Sequence, residues 1–142
     1  MSGPLALLYP VLAQVLLTLI LLFWTARARI AALRAGSVRI PEVALSVEPW
    51  PDDVRKISNN FHNQFETPVL FYVLCGAATF LGATGIVMTL LAWAYVATRL
   101  VHSVIHVTTN RVRHRFAIFA VGVAVLIAMW VVVAARLVAA SP

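Results

Sequence analysis

FAIFAVGVAVLIAMWVVVAARLV, residues 116–138, runs for 23 positions with one charge, Arg136. As a helix rising 1.5 Å per residue it would cover roughly 35 Å, enough to cross the roughly 30 Å hydrocarbon core of a bilayer. Similar runs precede it. Leu5 to Trp24 carries no charge, and the apolar run from Ile86 to about Ile105 contains Arg99 and His102. Pro68 to Leu81 is short alone but extends upstream through a helix-compatible stretch carrying Phe61, Phe65 and several amides. These runs predict helices over about 5–26, 51–81, 86–110 and 115–138, which use almost the whole chain. With 62% hydrophobic and 11% charged residues among 142, an ordinary soluble domain is excluded. The expected fold is all-α integral membrane, a bundle of four transmembrane helices forming one domain over 1–142.

The formal charge of +6 is accounted for by topology rather than by nucleic acid. Arg27, Arg29, Arg34, Arg39, Arg55 and Lys56 lie between the first and second runs, and Arg111, Arg113 and Arg115 between the third and fourth. Both basic loops are therefore expected in the cytoplasm and both termini outside. No charged region precedes the first run and no small-residue cleavage site follows it, so it is expected to be a retained helix. Trp50-Pro51-Asp52-Asp53 marks the start of the second helix, with proline and two carboxylates in its first turn. That helix would exceed the membrane thickness and project into the cytoplasm. Cys75 is alone and apolar-flanked, which most often means packing.

Two polar stripes emerge at the helical period. Asn59, Asn63 and Glu66 are spaced four and three apart, and Arg99, His102, His106, Asn110 and Arg113 follow three, four, four and three. Counting from the turn at Ala83 and Thr84 sets Glu66 level with Arg99, Asn63 with His102 and Asn59 with His106. A charged group is costly in lipid, about 2.5–3.5 kcal/mol on insertion scales, so these residues must face protein or water. Glu66 and Arg99 are natural partners. The seam they make serves either as a structural contact or as the lining of a cavity for a polar or charged ligand. Pro68 removes a helical hydrogen bond and is expected to kink the chain beside Glu66. His102 and His106 at i and i+4 could ligate a metal with His62 or Glu66, although no cysteine or second carboxylate completes such a set.

The stretch Asn-Gln-Phe-Glu-Thr-Pro from Asn63 to Pro68, followed by Arg99, Asn110 and Arg113, resembles the MAPEG superfamily, the membrane-associated proteins in eicosanoid and glutathione metabolism. The chain is similar to a divergent bacterial-type member. The resemblance implies a homotrimer of four-helix bundles in a bacterial inner membrane, with glutathione bound between subunits near the cytoplasmic face. On that resemblance Asn63 and Glu66 supply amide and carboxylate contacts to glutathione. Arg113 is the catalytic arginine that stabilises its thiolate, Arg27 or Arg29 approximates a first-helix contact, and Arg99 is a recurrent basic position. His102 and His106 replace two tyrosines of the leukotriene-synthase branch and can titrate near neutral pH. Asn59 stands where glutathione-using members carry arginine, and Thr67 where that branch carries tyrosine.

Two functions follow, with a third behind them. The first is a glutathione-type transferase or peroxidase acting on lipophilic small molecules at the cytoplasmic side. A second is a non-enzymatic lipid-binding or scaffold protein, like the lipoxygenase-activating member of the superfamily, and the third is a metal or proton site around His102 and His106. The expected partners are other copies of the chain and membrane lipids.

Overall fold

The computed structural model describes residue 3 and residues 5–141, and every described element of regular structure is helical. The helices are α1 (Leu8–Arg34), α2 (Ile40–Val43), α3 (Asp52–His62), α4 (Thr67–Phe80), α5 (Ile86–Val107) and α6 (Val112–Ala140). Three of them, α1, α5 and α6, are long and apolar enough to cross a membrane. The chain is thus an all-helical, multi-pass integral membrane protein. α4 is apolar, but its 14 residues reach only roughly 21 Å.

The first helix continues to Arg34, eight residues past the expected end near 26. Its extension is held because Ala32 packs with Val38, Trp50 and Val54 in a small apolar cluster. Arg29 ties the extension to α3 by donating from Nη2 to Ser58 Oγ at 2.8 Å, and its guanidinium lies 5.4 Å from the Trp50 ring centroid. The helix stops at Gly36, whose φ of 68° only glycine adopts without penalty. The paired bonds Ser37 N to Ala32 O and Gly36 N to Leu33 O then satisfy the last carbonyls, as in a Schellman motif. Gly82 ends α4 in the same way, with a φ of 65°.

The expected helix over 51–81 is broken in two. α3 gives way to a 3-10 turn over Asn63–Phe65, Glu66 leaves helical geometry at φ −95° and ψ −105°, and α4 restarts at Thr67. Pro68 explains the break, because it lacks an N–H for the Gln64 carbonyl and its ring would collide with that carbonyl in a continuous helix. The third helix also ends early, at Val107 rather than 110. Asn110 takes a left-handed φ of 48°, and Arg113 belongs to α6 instead of continuing the α5 stripe. Asparagine is one of the few non-glycine residues that enter this region readily.

One face of α5 is buried from end to end. It is apolar and small at Met88, Ala92 and Val96, then polar at Arg99, His102, Ser103 and His106. In the apolar half, Tyr95 stacks on Phe71 with ring centroids 4.7 Å apart and an interplanar angle of 18°, and its hydroxyl donates to Thr67 Oγ1 at 3.0 Å. α5 and α6 approach closely at Gly122, where a Cβ would lie 3.0 Å from Thr98 Oγ1. Elsewhere α6 buries Leu126, Met129 and Val133 on one stripe and leaves large apolar side chains exposed on the others. The start of α1 lies beside the end of α4, and the α4–α5 turn lies beside Val132 and Arg136 of α6.

Candidate functional site

The polar half of α5 faces two different surfaces of the broken helix. The inward surface is a closed amide network. Gln14 Nε2 donates to Gln64 Oε1 at 3.0 Å, Gln64 Nε2 to the Asn60 carbonyl at 3.0 Å, Asn60 Nδ2 to the Ser103 carbonyl at 3.3 Å, and Ser103 Oγ to Asn60 Oδ1 at 3.2 Å. All four residues are buried. These amides, not Asn59 and Glu66, are what α3 turns toward α5 and α1. The sequence signal was present: Asn60 and Gln64 are four apart, and Gln14 is the one amide in the first apolar run.

The outward surface is the candidate site. Asn59, His62, Asn63 and Glu66 line it from one side and His106 and Arg115 from the other, around a hollow of about 280 Å³. A second hollow of about 220 Å³ adjoins it, sharing Asn63, Glu66 and Arg115 and adding His102, Val112, Phe116 and Phe119. Of the residues singled out from sequence, the structure therefore gathers Asn59, His62, Asn63, Glu66, His102 and His106 along one cleft. His102 and His106 meet edge to face with ring centroids 5.6 Å apart.

The four arginines singled out from sequence are placed elsewhere. The ion pair between Glu66 and Arg99 is not formed, because unwinding at Asn63–Phe65 turns Glu66 outward where it is exposed. Arg99 instead donates from Nη2 to the Asn63 carbonyl at 3.1 Å. Arg113 is exposed and lines a separate hollow with Arg111, Val112, His114 and Ala117. It lies two residues from Arg115, about 200° around the helix, and so on nearly the opposite face. Arg29 is committed to Ser58 and Trp50, and Arg27 is exposed on α1.

The cleft is chemically unfinished. Arg99 is 2% exposed, its Nε has no hydrogen-bond partner, and no carboxylate pairs with it among the described residues. Both ring nitrogens of His102 and Nδ1 of His106 are also buried without partners. Each stranded buried polar group costs about 1–3 kcal/mol, and a charged one more. The arrangement favours an anionic or strongly hydrogen-bonding group from outside this chain. Among the described residues no three His, Cys, Asp or Glu side chains come together as metal ligands.

Helices of membrane-crossing length that close over a polar, cation-bearing cleft define a multi-pass membrane protein with a candidate small-molecule site. A sequence model of the MAPEG family matches residues 7–135, and the chain belongs to that family. No curated protein and no solved structure matches it.

Proposed function

We propose that the cleft binds a small anionic cosubstrate, a glutathione-type thiol, and uses it in transferase or peroxidase chemistry on lipophilic substrates at the cytoplasmic side of the membrane. The observation that carries this reading is Arg99: a buried guanidinium with one carbonyl acceptor and no salt bridge among the described residues, bonded to Asn63, which lines the cleft with Glu66, His102 and His106. An anion entering there would satisfy a charge that the chain leaves unpaired. Asn63 and Glu66 offer an amide and a carboxylate, the groups that suit a peptide ligand carrying both an amine and carboxylates. A thiol of pKa about 8.5 becomes a better-populated nucleophile beside a fixed cation. Its thiolate would then attack the electrophilic atom of a substrate arriving from the lipid, and the leaving group would depart with the bonding pair.

The same reading places α3 and α4 together as a fourth crossing, with both termini outside. It is supported by the start of α1, the α4–α5 turn and the end of α6 lying at one end, while Arg29 and Ser58 meet at the other. Family membership and the apolar faces left exposed support a homotrimer. Lipid binding without chemistry is a second reading, favoured by an apolar hollow of about 420 Å³ between α1 and α4, lined by Leu8, Val11, Tyr72 and Phe80.

The test is ultraviolet difference spectroscopy on the purified, folded protein as glutathione is added, with turnover of a lipophilic chlorodinitrobenzene measured alongside. A saturable thiolate signal with turnover is expected. Absence of both, with tightly bound lipid found by mass spectrometry, would replace the first reading with the second.

A further inference from the structure

Away from the cleft, the start of α6 carries a second basic group. Arg111, Arg113 and His114 are exposed and line, with Val112 and Ala117, a hollow of about 730 Å³. We propose that these three side chains hold the headgroup of an anionic phospholipid, whose acyl chain lies along the exposed face of α6 beyond them. The inference does not depend on what the cleft binds.

The direction of Arg113 is the first support. α6 packs on its neighbours through Gly122, Leu126, Met129 and Val133, and each of these lies about 160–220° around the helix from Arg113. The arginine therefore points straight out of the bundle. In a helix, side chains two apart would diverge, but Arg111 precedes α6 with an extended ψ of 108°, and both guanidinium groups line one hollow. Their charge is uncompensated. Neither arginine has an ion-pair partner among the described residues, and no Asp or Glu occurs in the sequence after Glu66.

Depth and the surface below choose the ligand. Arg113 and His114 precede Phe116, where the long apolar run begins, by roughly 3–5 Å along the axis, which is headgroup level for a helix crossing the bilayer. Ala117, Ala120, Ala124, Ile127 and Val131 lie within about 40° of Arg113 and are all exposed. A free phosphate or a nucleic acid would leave that apolar face unused, whereas a phospholipid covers it with an acyl chain. The planar guanidinium fork suits phosphate oxygens. Two fixed cations favour a headgroup of net negative charge, because a zwitterionic one would bring its own ammonium group against them.

The experiment is native mass spectrometry of the full chain, released from neutral detergent after incubation with equal amounts of phosphatidylglycerol and phosphatidylcholine. The unaltered chain is expected to retain phosphatidylglycerol preferentially, by about tenfold or more. Arg113→Gln should reduce that preference about fivefold, and Arg111→Gln with Arg113→Gln should abolish it. Ala120→Trp leaves every cation in place but obstructs the apolar face, and should also lower retention. Added inorganic phosphate should not displace the lipid. Equal retention of the two lipids by the unaltered chain overturns the inference. So does an equal loss from Arg34→Gln with Arg39→Gln, which would mean diffuse attraction rather than a site. Displacement by inorganic phosphate together with normal retention by Ala120→Trp would make it a free-anion site and overturn it too. Should the arginine variants fail to insert, Ala120→Trp decides: unchanged retention refutes the proposal. Glutathione enters none of these readings, so their failure leaves the reading of the cleft where it stood.

Discussion

Replacing Gln64 by leucine tests whether the amide network or the surrounding apolar packing joins α1 to the broken helix. Gln64 is 2% exposed, accepts from Gln14 Nε2 at 3.0 Å and donates to the Asn60 carbonyl at 3.0 Å. Leucine of similar size removes both bonds. It also strands Gln14, which is fully buried and whose Oε1 already lacks a partner, so neither amide atom of that side chain would be paired. Hydrogen bonds between membrane helices average about 0.6 kcal/mol and reach about 1.7. A stranded buried polar group adds about 1–3 kcal/mol. Gln64→Leu should therefore destabilise by about 1–3 kcal/mol. Gln14→Leu should cost less, roughly 0–1 kcal/mol, because the unsatisfied Gln14 oxygen it removes offsets the Gln64 oxygen it strands, and the Gln64 bond to Asn60 stays intact. The double variant should be more stable than Gln64→Leu alone, with a coupling on the order of 1 kcal/mol. Unfolding in mixed micelles, followed by far-ultraviolet circular dichroism as sodium dodecyl sulfate is raised, measures all three. Additive effects, or a Gln64→Leu cost under about 0.5 kcal/mol, would refute the reasoning.

Tyr95→Phe removes the hydroxyl bond to Thr67 but keeps the stack on Phe71, and should cost about 0.5–1.5 kcal/mol in the same assay. Gly122→Ala brings a Cβ to 3.0 Å from Thr98 Oγ1, so a loss of about 1–3 kcal/mol is expected, largely restored by Thr98→Ala and not by Thr98→Ser. Arg29→Ala should free the C-terminal end of α1 from Ser58 and Trp50, read as faster hydrogen exchange in 52–58 and a changed tryptophan emission, with glutathione affinity unaltered. Acidification should loosen α2: the Arg39 backbone N–H, then its guanidinium, hold the exposed Glu42 carboxyl below its ordinary 4.5. A depressed carboxyl stabilises the turn above the ordinary value and ceases to as pH falls through the lower one. Protection of the Glu42 amide should accordingly persist at pH 4.5 and disappear only below it.

The sequence was readable within elements and misleading across their ends. Arg99, His102 and His106 fall on one buried face because α5 is an uninterrupted helix, and three- and four-residue spacings hold there. The same arithmetic carried through Asn110 to Arg113 failed, since the chain reverses at Asn110 and the numbering phase restarts in α6. Once the phase is restarted at Val112, the stripe that reaches the cleft is Val112, Arg115, Phe116 and Phe119, a pattern the sequence contains but does not align to the rest. Asn63 and Glu66 reach the cleft, yet Glu66 lost its expected arginine because the 3-10 turn rotates everything after Asn63. Hydropathy found the apolar runs, the short one over Pro68 to Leu81 included; what it did not show is that the polar stretch upstream belongs to a separate helix.

Pro68 links these separate departures. A helix continuous through residues 63–68 would have used the Asn63 carbonyl internally. By ending that helix, the proline leaves the Asn63 carbonyl available, and the buried Arg99 takes it at 3.1 Å. The carboxylate that would have neutralised Arg99 is turned outward to line the cleft instead. One backbone break therefore separates an acid from a base that the linear spacing pairs, leaving the base buried with no salt bridge among the described residues and the acid exposed in the cleft. A salt bridge closed within the chain would have given a helix contact with nothing left to bind. The charge separation created at Pro68 keeps both groups available to a third party carrying complementary charges.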